Sequence, residues 1–402
     1  MSEFKSHESR QNPPWPRVQN EQLPWGEEPV QYASKRQLAA ARGSYSAAIP
    51  GFIADATPEI SNALLTECTD AVAALTRFDA QNSAMQLPFA AVLLRTESTS
   101  SSQIENLTAS AKQLALAELG VSKSENANLV VSNVKAMQAA LQFAENLNGT
   151  AIIAMHRALL EDTQPKLVGS WRKEQVWIGG TPFSPHSADF VPPSAQRLPE
   201  LIKDLLAFAS RTDLNSLVAI AVTHAQFETI HPFEDGNGRT GRALVQAMLR
   251  AAGITKNLTV PVSAGILKNT KGYFEALTSY RNGQVEPIVT IFVNAVFTAL
   301  NSSVPLLRIL TDLKIDWREN LKARQDSAAY RLVELLPKSP VVNVASVVRE
   351  LGVGDVTAMA AITKLVEAGI LTPTSSNKRN RTWQSQDVLQ ALDEFGARVR
   401  RG

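Results

Sequence analysis

The sequence predicts a mainly α-helical protein of two to three domains. Long stretches place apolar residues at three- and four-residue steps, β-forming residues gather in one short segment, and 402 residues exceed what one core usually organises. Hydrophobic residues make up 44% and charged residues 19%, with 40 Lys+Arg against 38 Asp+Glu and a formal charge of +2. That balance excludes a chain-wide nucleic-acid clamp or a polybasic membrane anchor. The single cysteine, Cys68, excludes an internal disulfide framework and a zinc site built on several thiolates. The first twenty residues lack the apolar core of a secretory signal, and no run of about eighteen apolar residues stands out. A soluble, cytoplasmic protein with no membrane partner is expected.

Residues 1–45 are polar and broken by Pro13, Pro14, Pro16, Pro24 and Pro29, with Trp15 and Trp25 among them. An extended arm that docks through its tryptophans is expected, since disordered segments are poor in aromatics. Thr57, Pro58 and Glu59 read as a helix start, followed by Ile60, Leu64, Leu65, Cys68, Val72, Leu75 and Phe78 on one stripe. Cys68 on that stripe reads as a buried small hydrophobe. Helical patterns follow at 106–119, 124–147 and 149–162, the last after the Asn148-Gly149 break. Segment 170–193 alternates β-formers with turn residues and reads as a hairpin or flap. Helices are then expected at 194–210, 213–230, 239–252 and 270–303.

Beyond about residue 325, three short helical patterns (327–337, 343–351, 355–368) precede ILTPTSSNKRNRTWQ and a last helix at 386–397. This order resembles a winged helix-turn-helix unit. Its third helical segment, 355–368, offers Lys364 but no Arg, Asn or Gln to read base edges, whereas the wing carries Lys378, Arg379 and Arg381. Protein docking or homodimerisation is therefore favoured over DNA binding, which stays open.

Residues 231–242 read HPFEDGNGRTGR and run into a helical stretch. Glycines let backbone approach an anion, and the first amides of a helix have no internal partner, so this is an anion hole at a helix N-terminus. Arg239 and Arg242 on the first turn reach further phosphates. His231, directly before the loop, suits a general base with a pKa near neutrality, and Asp235 a magnesium ligand. Glu234 reads as solvated. GNGRTG satisfies GxGxxG, but a helical pattern precedes it and no acid follows until Glu275, which removes a dinucleotide fold. Phosphoryl or nucleotidyl transfer is the chemistry this set supports.

HPFEDGNGRTGR fits every position of the Fic motif, HxFx[DE]GNGRxxR, and HAQFETI before it and PFAAVLLRTESTSSSQIENL upstream are similar to the corresponding Fic regions. The resemblance covers about residues 45–303. It implies a Fic-type helical core with a β-hairpin flap, plus a C-terminal winged helix, divided as 1–45 (arm), 46–135 (N-terminal helical region), 136–303 (Fic core) and 304–402 (linker helix and winged helix). It implies AMP transfer from ATP, with Mg2+, to a Ser, Thr or Tyr hydroxyl of a protein. Removal of AMP and transfer of another phosphate-linked group stand as alternatives, as does a DNA-binding regulator. By resemblance His231 is the general base and Asp235 holds magnesium. Asn237 with the backbone of Gly236 and Gly238 cradles the α-phosphate, and Arg239 and Arg242 reach the other phosphates. Phe233 anchors the loop and Tyr273 packs on adenine. His156 and His224 are left as core histidines. SSQIEN fits the family's inhibitory motif [ST]xxxE[GN] at Ser101, Glu105 and Asn106, which implies that Glu105 pairs with Arg242 and restrains the enzyme. The target protein is expected to lie along the flap, around Lys173 to Gly179, by strand addition.

Overall fold

The computed structural model describes residues 15–26, 41–82, 86–324, 326–374 and 381–400. Pro13, Pro14, Pro29, Lys378 and Arg379 lie outside them. The arm forms an antiparallel hairpin of β1 (Gln19–Pro24) and β2 (Ser44–Ile49). Trp15 is buried against Phe208 and Tyr280, and Trp25 packs edge-on against Tyr45 and Trp177. Two indoles thus hold the arm, one on the helical core and one on the flap.

Helix α1 (Asn62–Asn82) buries Leu64, Cys68, Ala71, Leu75 and Phe78. It begins at residue 62 rather than after Thr57, because the Ser61 carbonyl accepts the first helical bond from Leu65 and the Ser61 amide is tied to Glu286. Cys68 is buried in the core and its thiol is pushed up to about 11, chiefly by burial. Helix α2 (Gln86–Ile104) occupies a Ser/Thr-rich stretch that helical patterning leaves unassigned. Several of its hydroxyls are satisfied inside the helix: Ser98, Thr99 and Ser102 each donate to the carbonyl four residues back, which lowers the cost of burying a polar run.

Next come α3 (Ala111–Glu118), capped by a Ser110/Gln113 box, α4 (Glu125–Gln142), and α5 (Gly149–Leu160), whose first turn Asn148 caps. Residues 106–110, expected to be helical, form a loop ahead of α3. The flap carries only two isolated bridges, Ile178 with Phe190 and Thr181 with Ser184, around a turn at Pro185–Ser187. It is an irregular loop, not a laddered hairpin, because its prolines and glycines interrupt pairing. Val191 accepts from the Ala48 amide, which joins the flap to β2.

Helices α6 (Leu198–Ala209), α7 (Ser216–Ile230), α8 (Asn237–Ala251), α9 (Val262–Lys268), α10 (Thr270–Arg281) and α11 (Glu286–Asn320) complete the helical body. Every residue of α7 from Leu217 to Ile230 is buried, so this helix is the axis of the fold. The 35 residues of α11 run without a break through Pro305, so the expected boundary at 303/304 falls inside one helix. The expected boundary at 135/136 likewise cuts α4. An eighteen-residue window of α11 has a mean hydropathy of 1.5, long and apolar enough to cross a membrane, yet half of it is buried within the protein. The sequence reading passed over that window.

Helix α12 (Ala328–Leu335), strand β3 (Val341–Val342), helices α13 (Val344–Leu351) and α14 (Asp355–Glu367), strands β4 (Thr372–Pro373) and β5 (Trp383–Gln384), and helix α15 (Gln386–Arg400) follow. The strands form one sheet in the order β3-β5-β4. One apolar cluster runs from Trp15 through Leu75, Phe208, Phe292 and Leu310 to Leu332, Phe395 and Val399. The C-terminal elements therefore share the core of the helical body.

Candidate active site

Helix α7 ends on His231, whose φ of 50° and ψ of 64° place it in the left-handed region. A non-glycine residue there carries local strain of about 1 kcal/mol that its surroundings must offset. Arg172 does so. Its Nε donates to the His231 carbonyl at 2.8 Å, its other nitrogens donate to the carbonyls of Glu174, Pro193 and Ile230, and its amide donates to Pro232. The buried guanidinium has no carboxylate partner among the described residues, and burial lowers its pKa to about 10. The flap is thereby clasped to the turn that presents His231.

The imidazole of His231 is pushed down to about 3, first by burial, then by the charge of Arg172 and, after a bond to Glu228 that acts the other way, by Arg281. Its Nδ1 has no partner. The neutrality of this imidazole is thus more pronounced than the near-neutral pKa its sequence position suggested.

The loop that follows is held by groups that only three-dimensional structure brings together. Phe233 is buried, as expected, and lies flat on the His156 ring, with centroids 3.7 Å apart and planes 1° apart. His156 Nε2 donates to the Asp235 carbonyl at 3.0 Å, and burial pushes this imidazole down to about 4. It braces the loop and is more than a core histidine. Asn237 accepts from the Phe233 amide and donates to the Phe233 carbonyl, both at 2.9 Å. Asn237 thus shapes the loop through its side chain, while its backbone amide lies at the open start of α8. Gly236 has a φ of 76°, and a Cβ there would lie 2.8 Å from Leu159 Cδ2. Helix α8 starts from it without a side-chain cap, which leaves its first amides open to an anion.

Asp235 accepts from the Gly236 amide at 2.7 Å and from Gln164 at 3.1 Å, and lies 3.5 Å from Arg239. Its side chain is 44% exposed. No group of three or more metal-ligating side chains occurs among the described residues. Asp235 is thus one hard, accessible oxygen donor, which fits an ion held mainly by substrate phosphates and water rather than by a protein cage.

Glu105 follows the last residue of α2. The helix expected at 106–119 would start just after Glu105, whereas the structure ends a helix here: Asn106 sits in the left-handed region at φ 63°, and the Leu107 amide returns to the Ser102 carbonyl. The requirement for Gly or Asn after the glutamate follows from that conformation. Glu105 Oε1 lies 2.7 Å from Arg242 Nη2, and Oε2 lies 2.8 Å from Arg239 Nε. One carboxylate therefore engages both arginines, where the sequence suggested Arg242 alone. Ser101 completes the grip, accepting from Arg242 through its hydroxyl at 2.9 Å and its carbonyl at 2.8 Å. A Cβ on Gly238 would come within 2.5 Å of Glu105 Oε1, so the carboxylate rests directly on the N-terminal turn of α8. Burial works against the Arg242 charge, but Glu105, Tyr273 and Glu228 outweigh it and leave its pKa raised.

Tyr273 does not offer a face to adenine. It is 1% exposed, and its hydroxyl lies 2.8 Å from Nε2 of the buried His224. The neighbouring Phe274 is the exposed ring. Glu228, one turn before His231, escaped the sequence reading. Burial raises this carboxyl to about 7, against the pull of Arg242, and a Cβ on Gly241 would lie 2.7 Å from its Oε1.

Residues 146–249 match the Fic/DOC family, and residues 65–142 match the N-terminal region of that family. A protein adenylyltransferase Fic of Nematostella vectensis is 29% identical over 152 residues, 37% of this chain and 32% of that protein. One from Drosophila willistoni is 31% identical over 141 residues, 34% of this chain and 25% of the relative. The chain thus matches a third or less of the length of these relatives. A Fic family protein from Desulfovibrio desulfuricans superposes with a TM-score of 0.52 at 20% identity, over 82% of this chain and 97% of that one, which shows a shared fold. Across 65–142 and 146–249, therefore, this chain carries the sequence pattern of the Fic/DOC family.

Proposed function

We propose that the protein transfers AMP from ATP to a hydroxyl of Ser, Thr or Tyr on a protein target, itself included, and that Glu105 restrains the reaction. The observation that carries this reading is a carboxylate seated at the N-terminus of α8 between Arg239 and Arg242. An anion is stabilised there by open helix amides and two buried guanidiniums, and the phosphates of ATP suit the same place. Neutral His231 accepts the proton of the target hydroxyl as its oxygen attacks the α-phosphorus. The bond from the α-phosphorus to the bridging oxygen breaks, and pyrophosphate leaves. Asp235 would hold a magnesium ion, which neutralises phosphate charge when bound. Arg172 fixes the backbone of His231, and Arg239 and Arg242 take up negative charge.

Glu105 competes with ATP for both arginines, so nucleotide binds only where the carboxylate yields. Both Glu105 oxygens are engaged by guanidinium groups, which favours restraint over activation of a water for AMP removal. The exposed backbone around Lys173 to Gly179 is the surface proposed for the target. On α14 the exposed Val356 stands between Asp355 and Met359, which suits docking of a protein, including a second copy, better than DNA. Intact-mass measurement after incubation with ATP and magnesium tests the activity. Added AMP that increases in Glu105→Gly and vanishes in Glu105→Gly/His231→Ala supports it. Its absence from every variant, with ATP binding intact, would remove it.

A further inference from the structure

Helix α2 has two working faces. Ser101 and Glu105 point to the arginines, and the opposite face, with Thr96, Ser100 and Gln103, borders a cavity of about 400 Å³ closed by the loop at Thr108, the start of α3 and helix α15. That volume falls within the roughly 300 to 1,000 Å³ of small-ligand sites. Buried Leu114, Leu392 and Phe395 give it an apolar floor.

Its polar rim has unspent bonding capacity. Among the described residues, the side chains of Ser100, Gln103 and Thr108 make no hydrogen bond, whereas Thr96 and Thr99 spend theirs on carbonyls of their own helix. Arg95 lines the cavity, holds Glu118 through Nε and Nη2, and keeps a buried Nη1 without a partner. Among the described residues, Arg400 at the opening forms no ion pair, and Asp393, the one acid on the wall, is engaged by the Ala111 amide at 2.9 Å. Apolar floor, free hydroxyl and amide groups, and unmatched guanidinium nitrogens describe one ligand chemistry.

We propose that this cavity binds a small amphipathic monoanion, its apolar body against Leu114, Leu392 and Phe395 and its acid group toward Arg400. Because α2 forms one wall, occupancy stabilises the arrangement in which Glu105 rests on Arg239 and Arg242. That consequence rests on the restraint proposed above; the binding itself does not.

Gly396 supplies a clean test, since it lines the cavity and a Cβ there meets no atom within 4 Å. Gly396→Phe fills the space from a helix that tolerates the side chain. Fluorescence titration with 8-anilinonaphthalene-1-sulfonate, a probe monoanion, is expected to saturate at one equivalent in the full-length protein and to be reversed by octanoate. The signal is expected to disappear in Gly396→Phe and to weaken about threefold in Arg400→Glu. Unsaturable binding, or equal binding by a folded Gly396→Phe variant, overturns the site. Octanoate is also expected to slow amide exchange across residues 99–107 in the wild type. Unchanged exchange at saturating octanoate overturns the link to Glu105 and leaves the binding result to stand or fall alone.

Discussion

Replacing Glu105 with glycine removes a carboxylate that neutralises two arginines whose side chains are 4% and 3% exposed. Breaking a buried ion pair costs about 3 to 5 kcal/mol, because the remaining charge is left unsatisfied. The Glu105 side chain is 29% exposed, and solvent screening reduces the loss to about 2 kcal/mol. The ligand-free variant should therefore be less stable than wild type by that amount. ATP would no longer have to displace the carboxylate, and its phosphates would satisfy both guanidiniums, so the same 2 kcal/mol returns on binding as a roughly thirtyfold lower Kd. Glu105→Gln keeps the shape but not the charge and should fall between. Calorimetric titration of ATP with magnesium, in a His231→Ala background that prevents turnover, measures these affinities. Equal Kd values in folded wild-type and Glu105→Gly proteins would refute the competition between carboxylate and nucleotide.

Three further outcomes follow from the same contacts. The carboxyl of Glu97 is held by Ser263 on α9 and raised by burial to about 7, above its ordinary 4.5. Its stabilisation is fully present below the unfolded value and lost as pH rises through about 7, so Glu97→Gln should cost about 2.5 kcal/mol more at pH 5 than at pH 8 in urea denaturation. Arg172→Lys leaves most of four carbonyls unserved by one ammonium and should lose about 3 kcal/mol of stability, with turnover falling more than ATP affinity in a kcat and Kd comparison. Gly236→Ala meets both a positive φ and Leu159, so a loss of about 2 kcal/mol is expected by thermal denaturation, with weaker ATP binding by calorimetry.

What the sequence disclosed was what lies close along the chain. HPFEDGNGRTGR announced a loop before a helix, and His231, Asp235, Arg239 and Arg242 do meet there, because twelve consecutive residues cannot stray far apart. The stripe through Cys68 was equally legible, since one helix face repeats at a known period. Long-range partners left no such mark. Arg172, His156 and Glu228 act on the loop from elements whose local patterns only say helix or flap, and nothing in WRKEQ signals that its arginine serves three distant carbonyls. Asn237 was assigned to phosphate by resemblance, yet its side chain also binds the Phe233 backbone within its own turn. Tyr273 was carried over from the resemblance as well, and a resemblance to an aromatic pair cannot say whether the ring at that position or Phe274 beside it faces outward. The helix α2 was hidden by serines and threonines, whose low helix propensity is offset here by bonds to their own backbone.

The contact between Asp393 and the Ala111 amide spans 282 positions. At about 5 to 20 residues per second, a ribosome needs on the order of 14 to 56 seconds to cover that distance. The arginine turn of α8 emerges well before α15, so a nascent chain carries the complete 231–242 loop while the outer wall of α2 is still unmade. The order of synthesis thus places the formation of the α8 turn ahead of the final bracing of α2, and a newborn molecule passes through an interval in which the helix that carries Ser101 is held from one side only.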